Sequence, residues 1–259
     1  MLVPKEIIYD FSGETELMNT ANCSIMQHAE GYILNVSMTN KAQPDRQLTL
    51  NRKLLLDNTF KVLSDEILEQ EADARRIAGV SDIRLREEED GVMFHGHALH
   101  PNGLMGIVTG KYQSPLELEF IRPKEFTQAA TDWVYVPFSD GYHIIESWNP
   151  LTIGHVVDGE FHIKYQLETP SLAGARGATN ACLYNDEMYF LVHNGNGEHK
   201  FVVFSAKMDE LKRQTEWFTF EYDSEKALGL VVTKEKILVS YTNARVAVLK
   251  MPQIYQNKK

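Results

Sequence analysis

The chain has 259 residues, of which 43% are hydrophobic, and its formal net charge is −10. This hydrophobic content supports a folded core, and the acidic balance argues against general affinity for nucleic acid or anionic membrane surfaces. No apolar run approaches the ~20 residues that cross a bilayer, and Met1–Glu6 lacks the pattern of a signal peptide. We therefore expect a cytoplasmic protein without a nucleic-acid partner and without membrane insertion.

Five similar β-hairpins follow one another along the chain. Each pairs two apolar runs across a short turn that contains the residue types favoured in tight reversals, mostly Gly, Asp and Asn. In chain order, the hairpins are Cys23–Val36, Asp82–Gly96, Val134–Ser147, Thr179–His193 and Leu228–Tyr241.

The spacing of these hairpins predicts the fold. They recur about every 45 to 60 residues, close to the period of propeller blades, and weaker strands such as Gly106–Thr109 and Phe201–Phe204 lie between them. We therefore predict an all-β, five-bladed β-propeller that forms a single domain over residues 1–259. A two-sheet sandwich would require shorter and more even strand spacing. Only Ser64–Arg76 has a helical pattern, and it is equally compatible with a loop between blades.

A propeller would gather the polar ends of these hairpins at one mouth. The start of the first strand and the end of the second strand of each blade lie at the same face, and a funnel lined by polar groups is the default ligand site. In addition to Asp82 and His97, the residues predicted to lie there and bind substrate are Asn22, Arg84, His95, Trp133, Ser147, Trp148, Arg176, Thr179, Asn180 and His193.

Asp82 and Arg84 begin the second hairpin and are two residues apart. On a regular strand both side chains leave on the same face, where they can pair with each other or bind a polar ligand together. A partly desolvated carboxylate also suits general acid or base catalysis. The alternative is that Asp82 belongs to a network that fixes the start of the blade.

Several motifs, in order over about residues 19 to 245, resemble the five-bladed propellers related to β-mannoside phosphorylases and to viral and microbial glycosyltransferase-like proteins. The segment Ser81-Asp82-Ile83-Arg84 is similar to the Glu-Asp-(Pro or Ile)-Arg segment of that group, but Ser81 replaces its Glu. The other matching segments are Asn22–Ile25 with Gly31–Asn35, Trp133–Phe138, Ser147–Pro150, Arg176–Asn180 and the strand that ends at His193.

The resemblance implies inverting glycosyl transfer in which Asp82 gives or takes the proton. We predict an inverting glycosyltransferase that uses a phosphate-activated sugar donor and a carbohydrate acceptor. Arg84 would orient a sugar hydroxyl, and Arg176, which precedes Gly177, would hold phosphate together with His193. The alternatives are a phosphorylase or hydrolase of β-linked glycosides and a non-catalytic glycan-binding propeller, which Ser81 makes plausible. The donor is a sugar phosphate or a sugar nucleotide, and the lack of a second nucleotide domain argues mildly against the nucleotide.

The aromatic and histidine residues leave alternatives open. Trp133 and Trp148 can stack on sugar faces or pack between blades, and packing is favoured for Tyr135. His95 and His97 alternate on a strand and, together with His100, suggest a metal site, but no carboxylate completes a set. We therefore expect neither a metal nor another cofactor.

Overall fold

The computed structural model is built from β-strands. It describes residues 5–10, 18–29, 31–40, 47–70, 77–99, 105–122, 133–138, 141–177, 179–185, 187–194, 200–207, 215–221, 227–241 and 244–250. These segments form 22 strands and one short 3-10 helix, Pro170–Leu172, and the strands make five sheets. None of the described segments forms a helix long and apolar enough to span a bilayer.

The first two sheets are antiparallel meanders of consecutive strands, except that β6 joins the first sheet by parallel pairing with β4. The first sheet, in the order β2-β3-β4-β5, contains β2 (Met18–His28), β3 (Gly31–Asn40), β4 (Gln47–Asp57), β5 (Val62–Leu68) and the two-residue β6 (Ile77–Ala78). The second sheet contains β7 (Ser81–Glu88), β8 (Gly91–Leu99), β9 (Met105–Lys111) and β10 (Glu119–Arg122).

The next two sheets follow the same plan, and the fifth combines the two ends of the chain. The third sheet contains β11 (Val134–Phe138), β12 (Gly141–Trp148), β13 (Leu151–Val157) and β14 (Glu160–Leu167). The fourth contains β15 (Ala175–Gly177), β16 (Cys182–Tyr184), β17 (Glu187–Asn194), β18 (Lys200–Lys207) and β19 (Thr215–Glu221). The fifth, in the order β1-β22-β21-β20, contains β1 (Lys5–Asp10), β20 (Ala227–Val232), β21 (Lys236–Tyr241) and β22 (Arg245–Lys250).

Burial changes across a sheet from one edge strand to the other. In the first sheet most of β3 is buried, whereas β5 is exposed at every residue except Leu68. In the third sheet the first three residues of β11 are buried, whereas β14 has no buried residue. In each of these sheets an early strand is therefore buried and the last strand is solvated, as in propeller blades.

The chain divides into two compact units. The N-terminal unit comprises Ile7–Phe126 and Ser240–Val246, and the C-terminal unit comprises Met1–Glu6, Thr127–Val239 and Ala247–Lys259. Facing side chains of the first two sheets, including Ile33, Ile83 and Phe94, form the core of the N-terminal unit. The third and fourth sheets meet in a second core that includes Val134, Trp148 and Phe190. Both cores lie between successive sheets, because each inner strand is apolar on both faces.

Two local predictions are wrong in part. Residues 64–68 of the segment with a helical pattern belong to strand β5, where Asp65 pairs with Arg52 of β4, and residues 71–76 lie outside the described residues. Ladder hydrogen bonds from β4 therefore override a weak helical propensity. The fourth hairpin is present as β16 paired with β17, but its first strand begins at Cys182, so Thr179 and Asn180 precede the strand, and β15 pairs with the other end of β17. The other four hairpins are confirmed.

Candidate functional site

Asp82 lies in a β-bulge at the start of β7. Ser81 is opposite His97 and Arg84 is opposite His95, so Asp82 and Ile83 on β7 face the single residue Gly96 on β8. Asp82 has a φ of 52°, in the left-handed region that Asp tolerates better than most residues. Bulges of this kind re-aim a side chain. The regular alternation that would place Asp82 and Arg84 on one face is therefore interrupted.

Two glycines permit this backbone path. A Cβ on Gly96 would lie 2.7 Å from the carbonyl oxygen of Ser81 and 2.7 Å from a methyl group of Val80. Gly79 has a φ of 95°, and a Cβ there would collide with the carbonyl oxygen of Thr49. Glycine supplies both the positive φ and the close approach. The bulge therefore follows from the local sequence, although its register depends on β8.

Asn22, Asp82 and His97 form a small polar group that we call the Asp82 cluster. The amide Nδ2 of Asn22 donates to Oδ1 of Asp82 at 2.8 Å, and Nδ1 of His97 lies 3.2 Å from Oδ2. The side chain of Asp82 is 31% exposed and that of His97 is 9% exposed. The carboxylate is thus the accessible member of the cluster, and the amide and the imidazole hold it from within the protein.

Asn22 has an acceptor that the described residues leave unused. Its residue is 4% exposed, and its Oδ1 is buried without a hydrogen-bond donor among the described residues. Because Nδ2 must face the carboxylate, Oδ1 is turned away from it. A buried acceptor without a donor carries an energetic cost.

A buried polar network lies behind the bulge. Asn35, Ser37 and Asn51 are fully buried, and their side chains bond to one another at 2.7 to 3.2 Å. The hydroxyl of Tyr112 donates to Oδ1 of Asn35 at 2.7 Å, and Nδ2 of Asn51 donates to the carbonyl oxygen of Val80 at 2.9 Å. These four side chains, which we call the amide network, fix the segment that leads into Asp82.

Arg84 and His95 are more buried than their predicted roles suggested. Arg84 is 1% exposed and His95, its partner across the strand pair, is 2% exposed. Both are enclosed in the N-terminal unit, where Asp82 remains accessible. Their contact with substrate stays a prediction.

The predicted aromatic residues of the C-terminal unit are packed against protein. Trp133 is 1% exposed and its ring lies 6.1 Å from that of Phe161. Trp148 is 5% exposed and lies 5.3 Å from Phe190 in the core between the third and fourth sheets. These surroundings fit the packing alternative, and sugar stacking stays a prediction.

The predicted polar residues of the same unit bond mainly to backbone. The hydroxyl of Ser147 donates to the carbonyl oxygen of Pro150 at 2.7 Å, and Oγ1 of Thr179 accepts from the backbone N–H of Leu191 at 3.4 Å. Oδ1 of Asn180 accepts from the backbone N–H of Tyr135 at 3.1 Å. In this structure, these three side chains hold turns and neighbouring strands together.

Arg176 and His193 are neighbours, as the sequence predicted. They are directly opposite in the pairing of β15 with β17. The side chains of both residues lie outside the described parts of the structure, so their predicted binding of phosphate is untested.

Sequence reasoning missed a second group of titratable residues. His143 on β12, His155 on β13 and His162 on β14 have successive ring separations of 6.0 and 5.8 Å, and Nζ of Lys164 lies 3.1 Å from Nε2 of His143. We call these four residues the histidine ladder. Asp158–Gly159 is a tight turn with two positive φ values, and its register makes His155 and His162 partners. The Asp-Gly dipeptide could therefore have predicted this pair.

His97 was placed at the expected mouth but given no role. Its position at the end of β8 was the available signal, because Asp82 begins β7. The described residues contain no group of three or more His, Cys, Asp or Glu side chains arranged to hold a metal ion.

Comparisons with known proteins show the fold. No protein-family model and no curated protein matches the sequence. Among solved structures, the β-xylosidase RS223 superposes with a TM-score of 0.59 at 11% identity, covering 94% of each chain. A GH43_1 enzyme from Xanthomonas citri, also solved with xylotriose, has a TM-score of 0.55 at 10% identity over 95% of this chain and 89% of that one.

A third match comes from work on the mannoside phosphorylases. It comes from the GH130 family, which is described as containing glycoside hydrolases that target β-1,2 mannosidic linkages in Candida mannan. Its TM-score is 0.52 at 8% identity, and the match covers 92% of this chain and 86% of that one. The prediction of an all-β propeller is confirmed as a fold class. These neighbours are described as a β-xylosidase, a GH43_1 enzyme and a relative of the mannoside phosphorylases.

Proposed function

We propose that this protein is a carbohydrate-active enzyme that cleaves a β-linked glycoside by hydrolysis or phosphorolysis, with Asp82 handling the proton. The observation that carries the proposal is the Asp82 cluster, in which an accessible carboxylate is held by an amide and an imidazole. The likeness to glycoside-cleaving enzymes supports the substrate class. We further propose that the five sheets are the five blades of one propeller domain.

The chemistry requires a proton at the oxygen of the bond that breaks or forms. In cleavage, the bond between the anomeric carbon and the glycosidic oxygen breaks, its electrons go to that oxygen, and the oxygen takes a proton. In the reverse direction, a carboxylate removes the proton of the attacking hydroxyl. Asp82 is the proposed group in either direction.

Hydrolysis and phosphorolysis place different demands on the protein. Inverting hydrolysis uses two carboxyl groups, one as the acid and one to activate water. Phosphate is itself a nucleophile, so phosphorolysis needs one carboxyl group and a site for the anion. Arg176 with His193 is the pair predicted to bind the anion if the reaction is phosphorolysis.

The test is turnover of β-linked manno- and xylo-oligosaccharides with and without inorganic phosphate, followed by mass spectrometry. A sugar 1-phosphate identifies phosphorolysis and a free reducing sugar identifies hydrolysis. Asp82→Asn should lower the rate about 10²- to 10⁴-fold. Asp65→Asn is the matched control, because Asp65 pairs with Arg52 at the surface.

Three results would contradict the proposal. Equal rates for the wild type and Asp82→Asn would remove Asp82 from the chemistry. Consumption of sugar nucleotides alone would restore the glycosyltransferase. Glycan binding without any turnover would instead identify a binding module.

A further inference from the structure

We infer that His97 is a positioning residue for Asp82 and that its Nδ1 holds the carboxyl group in one orientation. The inference rests on the proposed role of Asp82 in glycoside cleavage and assigns to His97 a role that the sequence did not give it. It starts from the two separate contacts that Asp82 makes with Asn22 and His97.

Each oxygen of the carboxylate has its own partner. Nδ2 of Asn22 reaches Oδ1 at 2.8 Å, and Nδ1 of His97 reaches Oδ2 at 3.2 Å. Asn22 is on β2 of the first sheet and His97 is on β8 of the second, so the two contacts come from different elements. Rotation of the carboxylate about its Cβ–Cγ bond would break both contacts. The pair of partners therefore fixes the plane of the carboxylate.

The hydrogen-bond pattern also selects a protonation state. An ionised carboxylate only accepts hydrogen bonds, so Nδ1 of His97 must carry a proton. In the neutral ring, Nε2 then carries none. A second proton on Nε2 would keep this bond and strengthen it through the charge on the ring. Protonation of Asp82 on Oδ2 would instead require a bare Nδ1. Two donors on two oxygens thus describe the resting carboxylate, which takes up a proton before it can give one in cleavage.

Other charged groups occur on the strands around His97. Arg84 is on β7, His95 is on β8 itself, Lys111 is at the far end of β9, and His28 is at the far end of β2. The acids Glu87 and Glu88 are at the opposite end of β7 from Asp82. Asp82 is the carboxylate shown in contact with the His97 ring.

The first experiment measures the tautomer and needs no substrate. We expect ¹⁵N NMR at pH 8 to show the wild-type His97 ring protonated on Nδ1. In Asp82→Ala, the proton should move toward Nε2, because its acceptor has been removed. A bare Nδ1 in the wild type would overturn the inference.

The second experiment separates positioning from simple packing. His97→Leu removes the donor, whereas His97→Asn keeps an amide donor near the position of Nδ1. We expect His97→Leu to lower kcat about 10- to 100-fold with less than about a twofold change in KM, and His97→Asn to restore most of kcat. The rescue distinguishes a positioning role from loss of packing, and thermal unfolding checks that each variant is folded.

His28 provides the matched control. Its Nδ1 lies 3.0 Å from Oε1 of Glu87, so it makes the same kind of contact at an exposed position. His28→Leu should leave kcat and KM unchanged. Equal kcat for the wild type and His97→Leu would overturn the inference. If the wild type cleaves no glycoside, only the proposed function is refuted. The ¹⁵N NMR measurement of the His97 tautomer would still test the contact between His97 and Asp82.

Discussion

His97 in the N-terminal unit and His143 in the C-terminal unit are similar residues with opposite partners. They are 7% and 6% exposed, and each is on the second strand of a hairpin. Nδ1 of His97 faces the carboxylate of Asp82, whereas Nε2 of His143 faces the ammonium group of Lys164. The partner therefore determines whether the facing ring nitrogen must carry a proton or must be without one.

Both hydrogen bonds require a proton on Nδ1, for opposite reasons. His97 uses that proton to donate to Asp82, and His143 must keep Nε2 bare to accept from Lys164. A second proton preserves the His97 contact and breaks the His143 contact. The Asp82 cluster can therefore keep its geometry while charge moves, whereas the histidine ladder holds together only with a neutral His143. The two contacts therefore respond to a second proton on the ring in opposite ways.

The largest expected effect concerns the support of the Asp82 cluster. Asn51→Ala removes the partner of Asn35, Ser37 and the carbonyl oxygen of Val80. We expect a loss of about 3 kcal/mol of unfolding free energy, because buried polar groups lose their partners. Urea denaturation measures it. NMR should show the ring signals of His97 shifted and those of His143 unchanged.

Asn58→Ala, in the exposed turn after β4, is the control for this experiment, and we expect a change below about 0.5 kcal/mol. If Asn51→Ala lowers the free energy of unfolding as little as Asn58→Ala does, the amide network does not support the Asp82 cluster.

The second effect concerns Tyr112, the phenol of the amide network. Burial, with a smaller contribution from Glu66, raises the pKa of Tyr112 well above its usual value of 10.0. The folded state thus holds this proton more tightly than the unfolded state. The resulting stability is fully present below pH 10 and is lost as the pH rises toward the folded-state pKa.

Tyr112→Phe should therefore cost about 1 kcal/mol at pH 7 and should flatten the decline in stability above pH 10. Denaturant unfolding between pH 8 and 11 measures both effects. Tyr165→Phe, at a position that is 40% exposed, should retain the wild-type slope. An unchanged slope in Tyr112→Phe would contradict the role of burial.

The smallest effect tests the histidine ladder itself. Lys164→Met removes the ammonium group but keeps most of the apolar stem, and we expect a loss of about 0.5 to 1 kcal/mol. ¹⁵N NMR should show the tautomer of His143 changing while that of His97 stays the same. Lys61→Met, in an exposed turn, is the control. A change at His97 of equal size would show that the two regions are not independent.

Much of the fold could be predicted because its signals are local. Apolar runs and turn residues identified all five hairpins, and four of them have the expected strands. In the fourth hairpin the first strand begins only at Cys182, because pairing with β17, rather than the local sequence, determines where β16 begins. The helical pattern of residues 64–68 was misleading for the same reason, since β4 supplies the hydrogen bonds that make these residues a strand.

The candidate site was predicted less completely. Asp82 and Asn22 were identified, and the structure joins them through a hydrogen bond across 60 residues. The role of His97 was missed, because it depends on a bulge whose presence requires the register of both β7 and β8. The burial of Arg84, Trp133 and Trp148 was also not predictable, since burial depends on which sheets face each other.

The sequence by itself determined an all-β chain of repeated hairpins, since strand periodicity and turn chemistry act over a few residues. It also placed an Asp at the start of one strand and polar residues at the ends of others. Only the tertiary structure decided that Asp82 has a left-handed backbone conformation, that Asn22 and His97 hold its two oxygens, and that His143 faces a lysine instead. These contacts join strands distant in the chain, so they depend on register and on the packing of one sheet against the next.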